Sequence, residues 1–167
     1  MSLALFQTHL KKRTNQRLLW GFVTVLVITF LVMAALLLLT PQPVASVAAT
    51  VRVNDHRFHV TVAQSEAQRE RGLSGRTSLN QDEGMVFLFP SQGIYPFWMP
   101  EMRFPLDIIW IRQNAIVEMA QLDAPSIDHP EPELHTPTEQ ADMVLEVPAG
   151  TAQALQLRIG DPVSIVQ

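Results

Sequence analysis

A run of 22 residues without a single charged side chain, Leu18 to Leu39, constrains this chain more than any other feature. As a helix it would be about 33 Å long at about 1.5 Å per residue, which matches the roughly 30 Å hydrocarbon thickness of a bilayer. A buried core helix is the alternative, but residues 50–167 are too few to surround a helix that is apolar on every side. The run therefore predicts one transmembrane helix over residues 18–39.

The charges that flank this run predict its orientation. Residues 1–17 carry four basic side chains and no acidic one, and positive flanks stay in the cytoplasm. The chain after Thr40 is then extracytoplasmic, in the periplasm or at the cell surface. A cleavable signal peptide is the alternative, because the segment VASVAAT at 44–50 offers small residues to a signal peptidase. Signal peptides have apolar cores of about 7–15 residues, so this longer run favours an uncleaved anchor.

The rest of the chain is strongly acidic. All 16 acidic residues lie after residue 50, where 8 arginines and no lysine offset them, which leaves a formal charge of −8. Nucleic acid binding needs clustered cations against phosphate, so it is disfavoured. The expected partners are the membrane, through the N-terminal helix, and an envelope protein or a small ligand. The chain has no cysteine, which excludes disulfides, a lipoprotein attachment site and thiol catalysis.

Short patterned segments predict an α+β, mainly β domain over residues 50–167, after a proline-containing linker at 40–49. The alternating residues 50–63 surround a turn at Asn54-Asp55, which is typical of a β-hairpin. Ser65 and Gln68 form a capping box that begins a short helix. A second short helix is expected over residues 151–157, with Thr151 as its N-cap. Many short strands with one or two short helices favour a small β-barrel-like or sandwich domain.

The stretch YPFWMPEMRFPLDIIWI, from Tyr95 to Ile111, carries most of the aromatic rings of this domain. In an extended segment, even-numbered and odd-numbered residues lie on opposite faces. From residue 98 the even-numbered residues are all apolar, and the odd-numbered residues become apolar towards Ile111, which predicts burial on both faces from Leu106. Core packing is the favoured interpretation of the aromatics, and stacking of a ligand on Trp98 is the alternative. The same alternation places Met99 and Met102 on opposite faces. It therefore argues against a soft-metal site, although thioethers select Cu(I).

Four segments, in this order and spacing, resemble the family named domain of unknown function 192: RGLSGRTSLNQDEGMVFLFP, PFWMPEMRFPLDIIWI, VLEVPAG and IGDPV. The resemblance covers about residues 50–167. It implies a small β-rich fold and no established activity. The recurrent family positions match at Arg71, Gly72, Leu73, Arg76, Gly84, Met85, Phe97, Trp98, Met99, Pro105, Asp107, Glu146, Gly150, Gly160 and Asp161. The chain departs from the commonest family pattern at Ser74, Pro100 and Glu101.

The candidate binding residues are Arg71, Arg76, Trp98, Met99, Asp107 and Glu146. Asp107 and Glu146 are also the candidate catalytic residues, because two carboxyls with separated pKa values can perform general acid–base chemistry. That reading would make the domain a hydrolase of an envelope glycan or a small ester. The commoner alternative is a buried ionic network in which arginines neutralise both carboxylates.

The acidic, proline-interrupted segment 121–142 predicts an irregular loop. Its Asp128, His129, Glu131, Glu133 and His135 lack a recognised metal-ligand spacing, so neither a metal nor another cofactor is expected. Taken together, the residues predict a membrane-tethered, extracytoplasmic, non-catalytic module that binds a ligand or a partner protein.

Overall fold

The computed structural model describes residues 20–35 and 47–166. The chain divides into two compact units, Met1–Pro43 and Val44–Gln167. In the first unit, residues 20–35 form a helix, α1, whose apolar side chains are largely exposed. Within the described residues, no helix combines the length and the apolar character needed to cross a membrane.

Several predicted segments of the N-terminal region lie outside the described residues. They are the basic segment 1–17, both ends of the predicted transmembrane helix (18–19 and 36–39) and most of the linker (40–46).

The second unit is mainly β, as predicted. Its two short helices are α2, Glu66–Arg71, and α3, Thr151–Ala154. Its strands are β1 Val47–Val53, β2 His56–Ala63, β3 Glu83–Gly93, β4 Phe97–Trp98, β5 Leu106–Arg112, β6 Ala115–Leu122, β7 Leu134–His135, β8 Ala141–Pro148 and β9 Val163–Val166. Seven of these strands form one sheet in the order β6-β5-β8-β3-β2-β1-β9, while β4 and β7 pair separately.

Local sequence signals explain the first elements of this unit. β1 and β2 form the predicted antiparallel hairpin, and Asn54 adopts φ 52° in its turn, a left-handed conformation that asparagine tolerates. The capping box is present at the start of α2, where Ser65 and Gln68 exchange hydrogen bonds. Helix α2 then connects β2 to β3, the one parallel pair that the described strands make.

The large sheet curls into a half-barrel, because its first and last strands meet at one end. The main chain of Ile116 makes two hydrogen bonds at this contact: its carbonyl accepts from the Gly160 amide at 2.8 Å, and its amide donates to the Asp161 carbonyl at 3.0 Å. The Val163 amide donates to the Asn114 carbonyl at 2.8 Å. Ala152 of helix α3 and Leu155, its C-cap residue, pack against the interior.

The two faces of the sheet bury two separate cores. The inner core draws on all seven strands: Val51, Val53, Phe58, Val60, Val62, Val86, Ile109, Ile111, Ile116, Met143, Leu145, Val147 and Val163, with Leu157. The outer core covers the opposite face: Ala63, Leu73, Met85, Phe87, Phe97, Met99, Met102, Leu106, Ile108, Trp110, Leu122, Ala141 and Val144. β5 contributes alternate residues to both cores, so the predicted burial on both faces from Leu106 is confirmed.

Candidate functional site

The register of β5 and β8 separates the two candidate catalytic carboxyls. In this antiparallel pair, Ile108 lies opposite Glu146 and Asp107 lies opposite Val147. Directly opposed residues share a face of the sheet, and successive residues alternate between faces. Glu146 therefore points to the outer core, whereas Asp107 points to the inner one. The two carboxyls cannot act together on one substrate, so the hypothesis of a hydrolase that uses both does not fit the geometry.

Asp107 holds the start of helix α3. The residue is buried, and its Oδ2 accepts a hydrogen bond from the Ala152 amide at 2.7 Å. The first amides of a helix have no partner within the helix, so a carboxylate in this position stabilises the helix end. The expectation that an arginine neutralises Asp107 is wrong: within residues 47–166, arginine forms a salt bridge at Arg112–Glu139. A main-chain amide takes the place of the expected cation.

Glu146 has no such partner. Its side chain is 5 % exposed, and its Oε2 accepts no hydrogen bond from the described part of the chain. Its neighbours on the adjacent strands are Met85 and Ile108. Burial among these apolar side chains raises the pKa of Glu146 to about 8. The carboxyl is therefore mainly protonated at neutral pH, and the predicted ionic network does not form here either.

A pocket of about 230 Å³ opens beside Glu146. Its buried walls come from the outer core, and they are mainly aromatic rings and thioethers: Phe87, Phe97, Met99 and Met102. The Phe97 ring stands edge-on to the Phe87 ring with 4.9 Å between centroids, which is a favourable aromatic geometry. Glu146 is thus a lone polar group at the buried side of an apolar pocket.

A turn brings the two thioethers to the same pocket. Glu101 adopts φ 55°, and the chain turns at Pro100-Glu101. Met99 and Met102 are consequently both buried in the outer core. The prediction that they lie on opposite faces is wrong, because alternation holds only while the backbone stays extended. The argument from alternation against a soft cation is removed, although the pocket lining includes only these two sulfur atoms.

The exposed rim of the pocket carries Trp98 and Arg71. Trp98 is 59 % exposed and lies opposite Leu134 in the small β4–β7 sheet. Arg71 ends helix α2 and is exposed. By contrast, the Trp110 ring is buried, and its Nε1 donates to the Tyr95 carbonyl at 2.9 Å. Core packing therefore describes Trp110, whereas Trp98 is accessible to a ligand.

Four of the six predicted binding residues line this pocket: Arg71, Trp98, Met99 and Glu146. Asp107 lies on the other face of the sheet. Arg76 lies outside the pocket, where its Nη2 donates to Thr61 Oγ1 at 3.4 Å. It borders a larger depression, about 960 Å³, whose lining includes neither of the two buried carboxyls.

The sequence did not identify Phe87 or Ser74 as residues of the site. Phe87 lies in β3, within the apolar run 85–89. Ser74 lines the pocket and donates to the Pro100 carbonyl at 3.0 Å. No signal in the sequence separates a core phenylalanine from one that lines a pocket, since both occupy the buried face of a strand.

Glu118 anchors the acidic loop that crosses this side of the domain. Its Oε1 lies 2.8 Å from His135 Nε2, and its Oε2 accepts from the Thr138 amide at 2.8 Å and from the Glu139 amide at 3.2 Å. Burial opposes ionisation of Glu118, but these hydrogen bonds outweigh it and lower its pKa. Among the described residues, no group of three or more His, Cys, Asp or Glu side chains is placed to hold a metal ion.

Comparison with known proteins identifies the family. No functionally curated protein matches the chain. A crystal structure of a candidate transcription regulator from Sinorhizobium meliloti 1021 is 28 % identical with a TM-score of 0.65, covering 74 % of this chain and 98 % of that one. A protein of unknown function from Novosphingobium aromaticivorans DSM 12444 is 29 % identical with a TM-score of 0.61, covering 74 % and 89 %. The pattern of domain of unknown function 192, described as "Uncharacterized ACR", matches residues 49–165, and the chain therefore belongs to this family.

Proposed function

We propose that the unit Val44–Gln167 is a non-catalytic ligand-binding module whose pocket receives a small, mainly apolar ligand with one polar group. The observation that carries this proposal is the buried Oε2 of Glu146, which has no hydrogen-bond partner among the described residues. Leaving a buried polar group unpaired costs about 1–3 kcal/mol. A ligand that pairs with Glu146 removes this cost, which favours its binding.

The shape and lining of the pocket support the same function. Ligand sites are mostly apolar and aromatic, with a few convergent polar groups that set orientation. The Glu146 pocket has this composition, with one buried carboxyl among rings and thioethers. Typical ligand pockets measure about 300–1,000 Å³. A pocket of about 230 Å³ is smaller and suits a ligand of one ring or a short chain.

A direct role in DNA binding is not part of this proposal. The Sinorhizobium meliloti relative is named a candidate transcription regulator. In the present chain, however, the region after residue 50 has a formal charge of −8 and no lysine. DNA affinity depends mainly on cations that neutralise phosphates, so this region is unsuited to contact DNA.

We further propose that the module is tethered to a membrane and lies on its extracytoplasmic side. The support is the uncharged run 18–39 with its basic flank, together with the exposed apolar side chains of α1. The test expresses the full chain in bacteria and washes the membrane fraction with alkaline carbonate. We expect the chain to remain in the membrane and to be digested when protease is added to spheroplasts. A mature amino terminus near residue 48 would contradict the tether.

The binding proposal is tested on the isolated unit Val44–Gln167, which contains both cores. The Sinorhizobium meliloti relative supports this choice, because the shared fold accounts for nearly all of that chain. Methionine methyl groups are labelled with ¹³C, and a set of single-ring fragments is added. We expect saturable shifts of the Met99 and Met102 signals and none of the Met143 signal, which comes from the inner core.

A pair of matched variants provides the control. Ser74→Trp places a large side chain at the pocket lining, and Ser78→Trp adds the same side chain at an exposed position outside it. Fragment shifts should disappear in the first variant and persist in the second. If no fragment shifts the two methyl signals, or if Ser74→Trp binds as the unmodified domain does, the binding proposal is wrong.

A further inference from the structure

We infer that the ligand of the Glu146 pocket is a small organic cation, with an ammonium group carried on an aromatic or aliphatic body. This inference rests on the proposed binding function and adds the chemical class of the ligand. Three independent observations support it: the lone carboxyl, the rings and thioethers that surround it, and the charge of the whole domain.

The carboxyl itself selects the charge of the ligand. Glu146 lies opposite Met85 and Ile108, and its Oε2 has no donor among the described residues. An ammonium group supplies N–H donors and a positive charge, and its binding favours the ionised form of Glu146, which is mainly protonated at neutral pH without it. Hydrogen bonds between charged groups are about twice as strong as neutral ones. A ligand anion would instead meet a carboxyl in an apolar surrounding, which costs free energy.

The two arginines near the pocket do not change this preference. Arg69 is already engaged: its Nη1 donates to the Gln64 carbonyl at 2.6 Å and to the Leu88 carbonyl at 3.2 Å. Its guanidinium also lies over the Phe89 ring, 5.3 Å from the centroid. Arg71 is exposed at the rim, where water screens its charge from the buried Glu146.

The walls of the pocket suit the same class of ligand. Aromatic faces attract cations through the ring quadrupole, and exposed aromatic rings are a common means of binding ammonium groups. Phe87 and Phe97 line the buried part of the pocket, and Trp98 presents an accessible ring at the rim. Met99 and Met102 complete the lining with polarisable sulfur atoms.

The charge of the domain acts at longer range. The region after residue 50 carries a formal charge of −8. A net charge of one sign raises the local concentration of oppositely charged ligands and speeds their association. The domain thus attracts cations and repels anions before any contact with the pocket.

The test uses three probes with the same ring and different charge: benzylamine, which is cationic, benzyl alcohol and benzoate. The titrations are carried out at pH 8, where the Glu146 carboxyl is about half ionised. Each is titrated into the unit Val44–Gln167 with labelled methionine methyl groups. We expect benzylamine to shift the Met99 and Met102 signals and to bind at least about tenfold more tightly than benzyl alcohol, as an added charged hydrogen bond implies. Benzoate should produce no shift.

Two variants establish the role of the carboxyl. Glu146→Gln keeps the size of the side chain and removes its ability to ionise, while Glu131→Gln removes a carboxylate from an exposed position. Benzylamine should lose about tenfold or more in affinity with the first variant and none with the second. Benzyl alcohol should bind similarly to all three proteins. Unchanged benzylamine affinity in Glu146→Gln would overturn the inference.

Other outcomes separate this inference from the binding proposal on which it rests. Equal affinity for benzylamine and benzyl alcohol, or a preference for benzoate, would overturn the cation class and leave the pocket as a binding site. Silver nitrate is the probe for a soft metal ion. If Ag⁺ shifts the methyl signals, benzylamine does not, and Met102→Leu abolishes the Ag⁺ effect, the ligand is a soft metal ion and the inference is wrong. If no probe binds, both proposals fail.

Discussion

Replacement of Glu146 by glutamine should change how the stability of the domain depends on pH. Glutamine has the shape of the protonated glutamic acid but cannot ionise. In the folded domain the pKa of Glu146 is raised from 4.5 to about 8 by burial. Between these two values the folded chain keeps a proton that the unfolded chain releases, so the free energy of unfolding falls as pH rises. At pH values above the folded pKa the loss of unfolding free energy is complete, and at pH values below the unfolded pKa of 4.5 there is no loss.

The size of this effect follows from the two pKa values. Each unit of difference in pKa corresponds to about 1.4 kcal/mol, so between pH 5 and pH 8 the Glu146 contribution to the free energy of unfolding should fall by about 3–4 kcal/mol. Small domains have total stabilities of about 5–15 kcal/mol, so such a loss is easily measured. The glutamine variant should lack it and be the more stable protein at pH 8.

The assay is urea unfolding of the unit Val44–Gln167, followed by the fluorescence of Trp110 in the outer core. Curves are recorded between pH 5 and pH 8 for both proteins, without ligand. The informative quantity is the difference between the two free energies of unfolding at each pH, since all other titrating groups are shared. A difference that stays constant over this range, or that moves in favour of the unmodified domain as pH rises, would refute the assigned burial of an unpaired carboxyl.

Three further changes test other parts of the structure. Asp107→Ala removes the acceptor at the start of α3 and should lower the free energy of unfolding by about 0.5–2 kcal/mol. Asp107→Asn keeps an acceptor oxygen and should lower it less. Equal losses in the two variants would count against the capping role. Gly84→Ala would place a Cβ 2.5 Å from the Glu146 carbonyl oxygen and should lower the free energy of unfolding by about 1–3 kcal/mol. An unchanged midpoint of urea unfolding would contradict the close approach of β3 and β8. Glu118 has a lowered pKa, so its stabilisation is present above its unfolded pKa and disappears as pH falls through the folded value. Glu118→Gln should therefore lower the melting temperature at pH 7, and this difference should disappear as pH falls through the folded pKa of Glu118. A pH-independent difference would show that ionisation of Glu118 is unimportant.

Local patterns in the sequence predicted much of the fold. The hairpin of β1 and β2, the capping box at Ser65 and the burial of β5 on both faces all depend on residues close together in the chain. Short-range rules therefore apply to them directly. The prediction of the N-cap of α3 was wrong. Gly150 is the N-cap, and Thr151 Oγ1 instead donates to the Pro148 carbonyl. Two alternative caps that are adjacent in sequence differ too little in preference for a sequence pattern to decide between them.

The candidate site was only partly predictable. Arg71, Trp98, Met99 and Glu146 line one pocket, whereas Arg76 and Asp107 do not. No spacing in the sequence distinguishes these four residues from the other two. The prediction of an ionic network was wrong, because composition shows that arginines are available but not that they reach a given carboxylate. The prediction that Met99 and Met102 lie on opposite faces was wrong. Glu101 has a positive φ, so the chain turns between the two methionines and both side chains reach the outer core.

The sequence by itself determined the hairpin of β1 and β2, the start of α2 and the burial of β5 on both faces. It also determined the acidic charge of the domain and the absence of cysteine. Only the tertiary structure decided that Asp107 and Glu146 face opposite cores, since this depends on the register between β5 and β8, which are far apart in sequence. Because side chains alternate with a period of two, a shift of one residue in this register would place both carboxyls on the same face. The pairing of distant strands therefore left Glu146 unpartnered beside a pocket and placed Asp107 at a helix end.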